Sequence, residues 1–184
     1  MFADNTLTPK EAIRLCALGT LAQADAPMRY SALANAIRHF TSRITGPSLD
    51  IMGTSIELLK YEGLVAPIGG DGMEDDAPLA LNALGRAELV TLMTSRIRSQ
   101  GGEVNKLIAT LKLRFLHLIE SVEQIRQIDL MIEATDTEIA RLDDLRASHT
   151  NTQGYLGDWL DHDIRQLENH LQWLEGLREK LCAA

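Results

Sequence analysis

Residues 64–81 read Leu64-Val65-Ala66-Pro67-Ile68-Gly69-Gly70-Asp71-Gly72-Met73-Glu74-Asp75-Asp76-Ala77-Pro78-Leu79-Ala80-Leu81. Two short apolar runs, the first rich in branched residues, flank a glycine- and acid-rich loop. That is the pattern of a two-stranded hairpin with a long tip. The loop resembles a calcium loop only superficially, because it lacks the alternating ligand order and the closing Glu.

Helical signals surround the hairpin. Thr8-Pro9-Lys10-Glu11 starts a helix: Thr8 caps, Pro9 suits the first helical position, and Glu11 completes the capping box. Ala12, Ile13, Leu15, Cys16, Leu18, Leu21 and Ala22 give that helix a broad apolar face, and Asp25-Ala26-Pro27 ends it. Ser31 begins a second helix with Leu33, Ala34, Ile37 and Phe40 at helical spacing, broken by Thr45-Gly46-Pro47. Ser48 caps a third, with Ile51, Met52, Ile56 and Leu59 inward and Gly63 past its last turn. After the hairpin, Asn82 caps a helix running through Leu89, Val90, Leu92, Met93 and Ile97. Three helices followed by a hairpin is the order of a winged helix-turn-helix.

Gly101-Gly102 is the candidate boundary. Beyond it lie Val104 to Ile119, then a run in which Leu118, Ile125, Ile128, Ile132, Ile139 and Leu142 fall on a heptad-like seam. The polar run from His149 to Gly154 is turn-forming. In the last helix, residues 156–182, Leu160, Ile164, Leu167, Leu171, Leu174 and Leu181 form one apolar seam, interrupted only by Arg178. Such a seam needs a partner helix. It can pack on the 118–146 helix of its own chain as an antiparallel hairpin, or on a second copy. The expected interface uses both long helices, through Leu160, Ile164, Leu167, Leu171, Trp173 and Leu174. The expected architecture is mainly α: a winged helix-turn-helix over residues 1–100, then a helical dimerisation and effector domain over 101–184.

The chain has 184 residues, 45% of them hydrophobic and 24% charged, as in ordinary globular proteins. Only 4% are aromatic, so aliphatic side chains must build the core. No apolar run approaches the roughly 20 residues of a membrane helix. The start lacks a basic region and apolar stretch, so a cytoplasmic location is expected. The two cysteines, Cys16 and Cys182, then stay reduced. No Cys/His cluster has metal spacing, and no cofactor is expected. No nucleophile elbow, phosphate loop or paired-carboxylate signature appears, so the chain does not read as an enzyme. The net charge is −8: residues 1–97 carry −3 and residues 98–184 carry −5. Neither half suits a strong nonspecific nucleic-acid binder.

Several runs resemble the PadR family of transcriptional regulators. Met28-Arg29-Tyr30-Ser31-Ala32-Leu33 is similar to the family's start of the second helix. Tyr61-Glu62-Gly63-Leu64-Val65 is similar to its helix-to-wing junction, and Leu81-Asn82-Ala83-Leu84-Gly85-Arg86 to its Leu-Thr-x-x-Gly-Arg after the wing. Leu167-Glu168-Asn169-His170-Leu171-Gln172-Trp173-Leu174-Glu175 resembles its final dimerisation helix. The resemblance implies a homodimer that binds operator DNA through winged helices. It also implies repression relieved by a small-molecule effector or another signal.

On that reading, Ser48, Thr54 and Ser55 at the start and outer face of the third helix meet base edges or phosphates. Arg29, Arg38 and Arg43 neutralise phosphate. The plain alternative is that Ser48 only caps and the arginines are solvated or ion-paired. Trp159 and Trp173 lie near one stripe, read either as interface packing or as the wall of an aromatic effector pocket. The sequence departs from the family where DNA is read. Gly53, Glu57 and Leu58 replace a Tyr and two basic or polar positions, and Asp75, Asp76 and Ala80 stand where the wing is usually basic. Those departures carry the alternative function, a dimeric winged-helix interaction module that has lost DNA binding.

Overall fold

The computed structural model describes residues 6–46, 52–71, 75–97, 102–149 and 154–183, with the side chains of 52–55 outside that description. Its described elements are α1 (Pro9–Gln23), β1 (Met28–Arg29), α2 (Tyr30–Thr45), α3 (Met52–Tyr61), β2 (Val65–Pro67), β3 (Pro78–Leu81), α4 (Ala83–Met93), α5 (Glu103–Phe115), a 3-10 turn (Leu116–Leu118), α6 (Ser121–Ser148) and α7 (Leu156–Ala183). The fold is mainly helical with one small antiparallel sheet, a winged helix plus a helical hairpin. Contacts divide the chain into two compact units.

The first unit comprises Met1–Arg96 with Gly102–Glu120. Its centre is α1. The Thr8 hydroxyl accepts from Glu11 N at 3.3 Å, and a Glu11 carboxylate oxygen accepts from Thr8 N at 2.7 Å. Two of the open donors at the helix start are thereby met. That backbone hydrogen bond from Thr8 holds the Glu11 carboxyl below its ordinary range. Residues Ala12, Ile13, Leu15, Cys16, Ala17 and Leu18 are all buried, because α2, α3, α4, α5 and β3 all pack on this one helix. Burial pushes the Cys16 thiol up to about 11, which suits an inert core residue.

The sheet has the order β1-β3-β2. Val65 pairs with Leu81 and Pro67 with Leu79, as expected of the hairpin. A third strand adds to it, with Met28 opposite Leu79. This strand has two residues, too few to show alternation in sequence. Asn82 binds the wing to the next helix. Its carbonyl oxygen accepts from Gly85 N at 2.9 Å, and its amide donates to Gly63 O at 2.6 Å. A Cβ on Gly85 would collide with the Leu64 carbonyl oxygen, so only glycine lets α4 begin this close to the wing.

The sequence pattern groups α5 with the second domain, whereas contacts group it with the first unit. It packs on α1 and α2 through Leu107, Ile108, Leu111 and Phe115. The fit depends on Gly19, where a Cβ would run into the Phe115 ring.

The second unit is built from α6 and α7. Leu142 of α6 packs with Leu160 and Ile164 of α7, flanked by Ile139, Leu145 and Leu167. Ion pairs Arg146–Asp161 at 2.6 Å and Arg178–Asp129 at 2.5 Å link the two antiparallel helices near either end.

Candidate nucleic-acid interface

The elements that a winged helix presents to DNA are α2, α3 and the wing. Arg29 ends β1 and precedes α2, so its backbone is fixed by the sheet while its side chain is about two-thirds exposed. It stands at the N-cap position of α2 and makes no cap there. The cap comes instead from the wing. Asp76 accepts from Ser31 N at 2.7 Å and from the Ser31 hydroxyl at 2.9 Å. Arg29 lies 3.7 Å from the same carboxylate. The Ser31 amide bond, more than Arg29, holds the Asp76 carboxyl below its ordinary value. Asp76 reaches this position with a positive φ of 53°, which aspartate tolerates better than most side chains.

The wing acids are therefore partly structural. Asp75 closes the turn by accepting from Asp71 N at 2.8 Å and Ala77 N at 3.1 Å. Glu74 lies outside the described residues. Lys60, at the end of α3, donates to the Asp71 carbonyl oxygen and so joins the helix to the wing. Asp75 and Asp76 thus hold backbone donors of the wing and of α2 in place.

Arg38 and Arg43 are exposed on α2. Arg38 donates to Asn35 at 2.9 Å, one turn back on the helix. Arg43 sits in the last turn, where a cation complements the helix dipole. Ser48 lies outside the described residues; Thr54 and Ser55 lie within α3, with their side chains outside the description. The geometry thus brings Arg29 together with Ser31 and the wing, and spreads Arg38 and Arg43 along α2. Of the described side chains on the outer face of α3, Leu58 is 43% exposed and Tyr61 is 84% exposed. Glu62, just past α3, is held by Arg14, which also pairs with Glu88.

Sequence reasoning misses two residues here. Tyr61 reads in sequence only as part of the junction to the wing, although an exposed aromatic at the end of this helix is a ready surface for stacking or hydrogen bonding. The role of Asp76 has one faint signal: α2 starts without a capping side chain of its own, so its acceptor has to come from elsewhere.

On α7, Leu160, Ile164 and Leu174 are buried within the chain, and Leu167 and Leu171 are half-buried. Leu160 and Ile164 face Leu142 of α6. Trp159 and Trp173 stand out, 52% and 51% exposed. His170 stacks on Trp173, with ring centres 5.7 Å apart and planes 16° from parallel. Among the described residues, no helix is long and apolar enough to cross a membrane.

Residues 2–178 match the model of a family described as "Putative AphA-like transcriptional regulator". No curated protein matches the chain.

Proposed function

This chain belongs to the AphA-like transcriptional regulators, and from that premise we propose that it is a PadR-like homodimeric repressor of a promoter operator. Two winged helices would meet two major-groove half-sites about one helical turn apart. Release would come through the α6–α7 hairpin, where a small molecule or another signal changes the spacing of the half-sites. The observation that carries the reading is the match over residues 2–178, which takes in both the winged helix and the hairpin.

In this reading Arg29, Arg38 and Arg43 neutralise phosphates. Ser48, Thr54 and Ser55 serve the N-terminal part of α3, where backbone N–H groups and small hydroxyls suit phosphate or base edges. The protein carries no metal or cofactor in this function and performs no catalysis. It works in the cytoplasm.

The test is binding to the DNA upstream of its own gene, measured by fluorescence anisotropy across a salt series. The proposal expects saturable binding that unrelated DNA does not compete away and that weakens as salt rises. One observation favours a second reading. The exposed Leu58 and Tyr61 on α3, beside an acidic wing, would suit a protein partner better than phosphate. A well-folded dimer that binds no DNA at low salt, with or without effector, would favour that interaction module.

A further inference from the structure

Cations are scarce where a winged helix reads DNA. Residues 61–85, which hold the wing, contain no Lys or Arg. The helix α3 contributes only Lys60, whose ammonium donates to the Asp71 carbonyl oxygen. They are concentrated instead on a neighbouring pair of helices. Residues 30–45 and 104–119 carry Arg38, Arg43, Lys106, Lys112 and Arg114 and no Asp or Glu, in a chain with 26 acids. The first stretch is α2; the second is α5 beyond its opening Glu103, with the 3-10 turn that follows, and α2 and α5 pack together. Arg114 joins them. Its guanidinium carbon lies 4.6 Å from the centre of the Phe40 ring on α2 and 4.8 Å from that of Phe115. Two ring contacts fix the cation in place without using its N–H donors. Arg43 stands one turn beyond Phe40, and Lys106, Thr110 and Arg114 follow at steps of four along α5. Those three lie within about 80° of one another on the helix. Arg43 and Lys106 are exposed, Arg114 is half-buried, and Lys112 is buried on another side of α5. Arg14, Arg29, Arg126, Arg141, Arg146 and Arg178 each pair with a carboxylate. Among the described residues, Arg43, Lys106 and Arg114 pair with none.

We propose that this face of α2 and α5 carries the DNA backbone beyond the helix-turn-helix, with Lys106 and Arg114 as phosphate contacts beside Arg43. The inference rests on the DNA-binding reading and adds a helix to it. Duplex affinity depends on neutralised phosphates, and α3 and the wing have almost no charge to give, so the cations must lie elsewhere. Arg43 is in the last turn of α2, the end from which the chain passes to α3. The face therefore begins beside the turn between the two helices. Lys106 and Arg114 are eight residues apart, about 12 Å along α5, a length over which one strand of a duplex presents about three phosphates. An acidic protein segment is the other polyanion that such a face could hold. Protein interfaces are anchored by large apolar side chains that enter the contact. None of the described exposed large apolar side chains belongs to α2 or α5, which favours phosphate. A guanidinium held in place also suits the paired oxygens of a phosphate.

The test is a salt series of fluorescence anisotropy with the full chain, on the duplex upstream of its own gene and on unrelated DNA. Lys106→Ala and Arg114→Gln are compared with the natural chain. Lys180→Ala, an exposed cation on α7, removes the same charge away from the face. Each of the first two variants should lower the slope of log affinity against log salt by about 0.9. Both should weaken promoter and unrelated DNA alike, because phosphate contacts carry no sequence information. The control should keep the natural slope. A natural chain that binds the promoter, with Lys106→Ala matching it in slope and affinity, overturns the α5 contact and leaves DNA binding standing. A natural chain that binds no DNA at low salt overturns both and leaves the face to an acidic protein segment. Lys106 is exposed, so its variant keeps the test sound where Arg114→Gln fails to fold.

Discussion

Lys112 has no exposed surface, and its ammonium donates to the carbonyls of Met93 at 2.7 Å and Ser95 at 2.5 Å. These carbonyls lie at the end of α4 and two residues past it, so the side chain satisfies acceptors that the helix end leaves open. Burial pushes its pKa down to about 7 from an ordinary value near 10.5. Between those values the folded chain binds fewer protons than the unfolded one. Stability contributed by this site therefore rises with pH from about 7 to 10.5, by up to about 1.4 kcal/mol per pH unit, and is flat below 7. Urea melts from about pH 7 to 9.5 should show that rise in the natural chain and a flatter profile in Lys112→Met. Gly19 sets a second prediction. Gly19→Ala drives a methyl into the Phe115 ring, an overpacking that should cost about 1–3 kcal/mol in the same melts. Neither feature is legible in sequence. Lys112 sits in a helix whose partners lie far along the chain, and nothing local marks Gly19 as the seat of a ring.

Elements whose signals are local are legible in sequence. The Thr8–Glu11 box and Pro9 mark the start of α1, and the leucine spacing marks α7 almost to its ends. The wing shows through its two apolar runs, and α4 through Asn82. What escapes is pairing at a distance. β1 exists because β3 lies beside it, and α2 begins where it does because Asp76, 45 residues away, caps it. Of the candidate site, Arg29, Arg38 and Arg43 are on exposed surface, but no sequence signal shows that the carboxylate facing Arg29 is a cap. Asp76→Ala should lower stability at neutral pH. Because the folded carboxyl is held below its ordinary value, that contribution is present above about pH 4 and is lost as pH falls through the depressed value. Melts of both proteins should converge in acid; an equal gap at about pH 7 and about pH 2 would contradict the cap. In the hairpin, Leu160→Ala should cost about 2–5 kcal/mol, since Leu160 is fully buried. Circular dichroism melts measure that loss.

For the whole molecule, a net charge of −8 means that any DNA affinity must come from a local set of cations rather than the general field. Arg29→Ala should then weaken promoter binding about equally across sequences and reduce the salt slope by about 1. An unchanged slope would remove Arg29 from the phosphate contacts. The family match spans the winged helix and the hairpin together. The most direct test is a hydroxyl-radical footprint of the full chain on the DNA upstream of its own gene. A dimeric repressor should protect two half-sites related by a two-fold, centred about 10 base pairs apart. Uniform cleavage by saturating, well-folded protein, with unrelated DNA bound equally well, would contradict it.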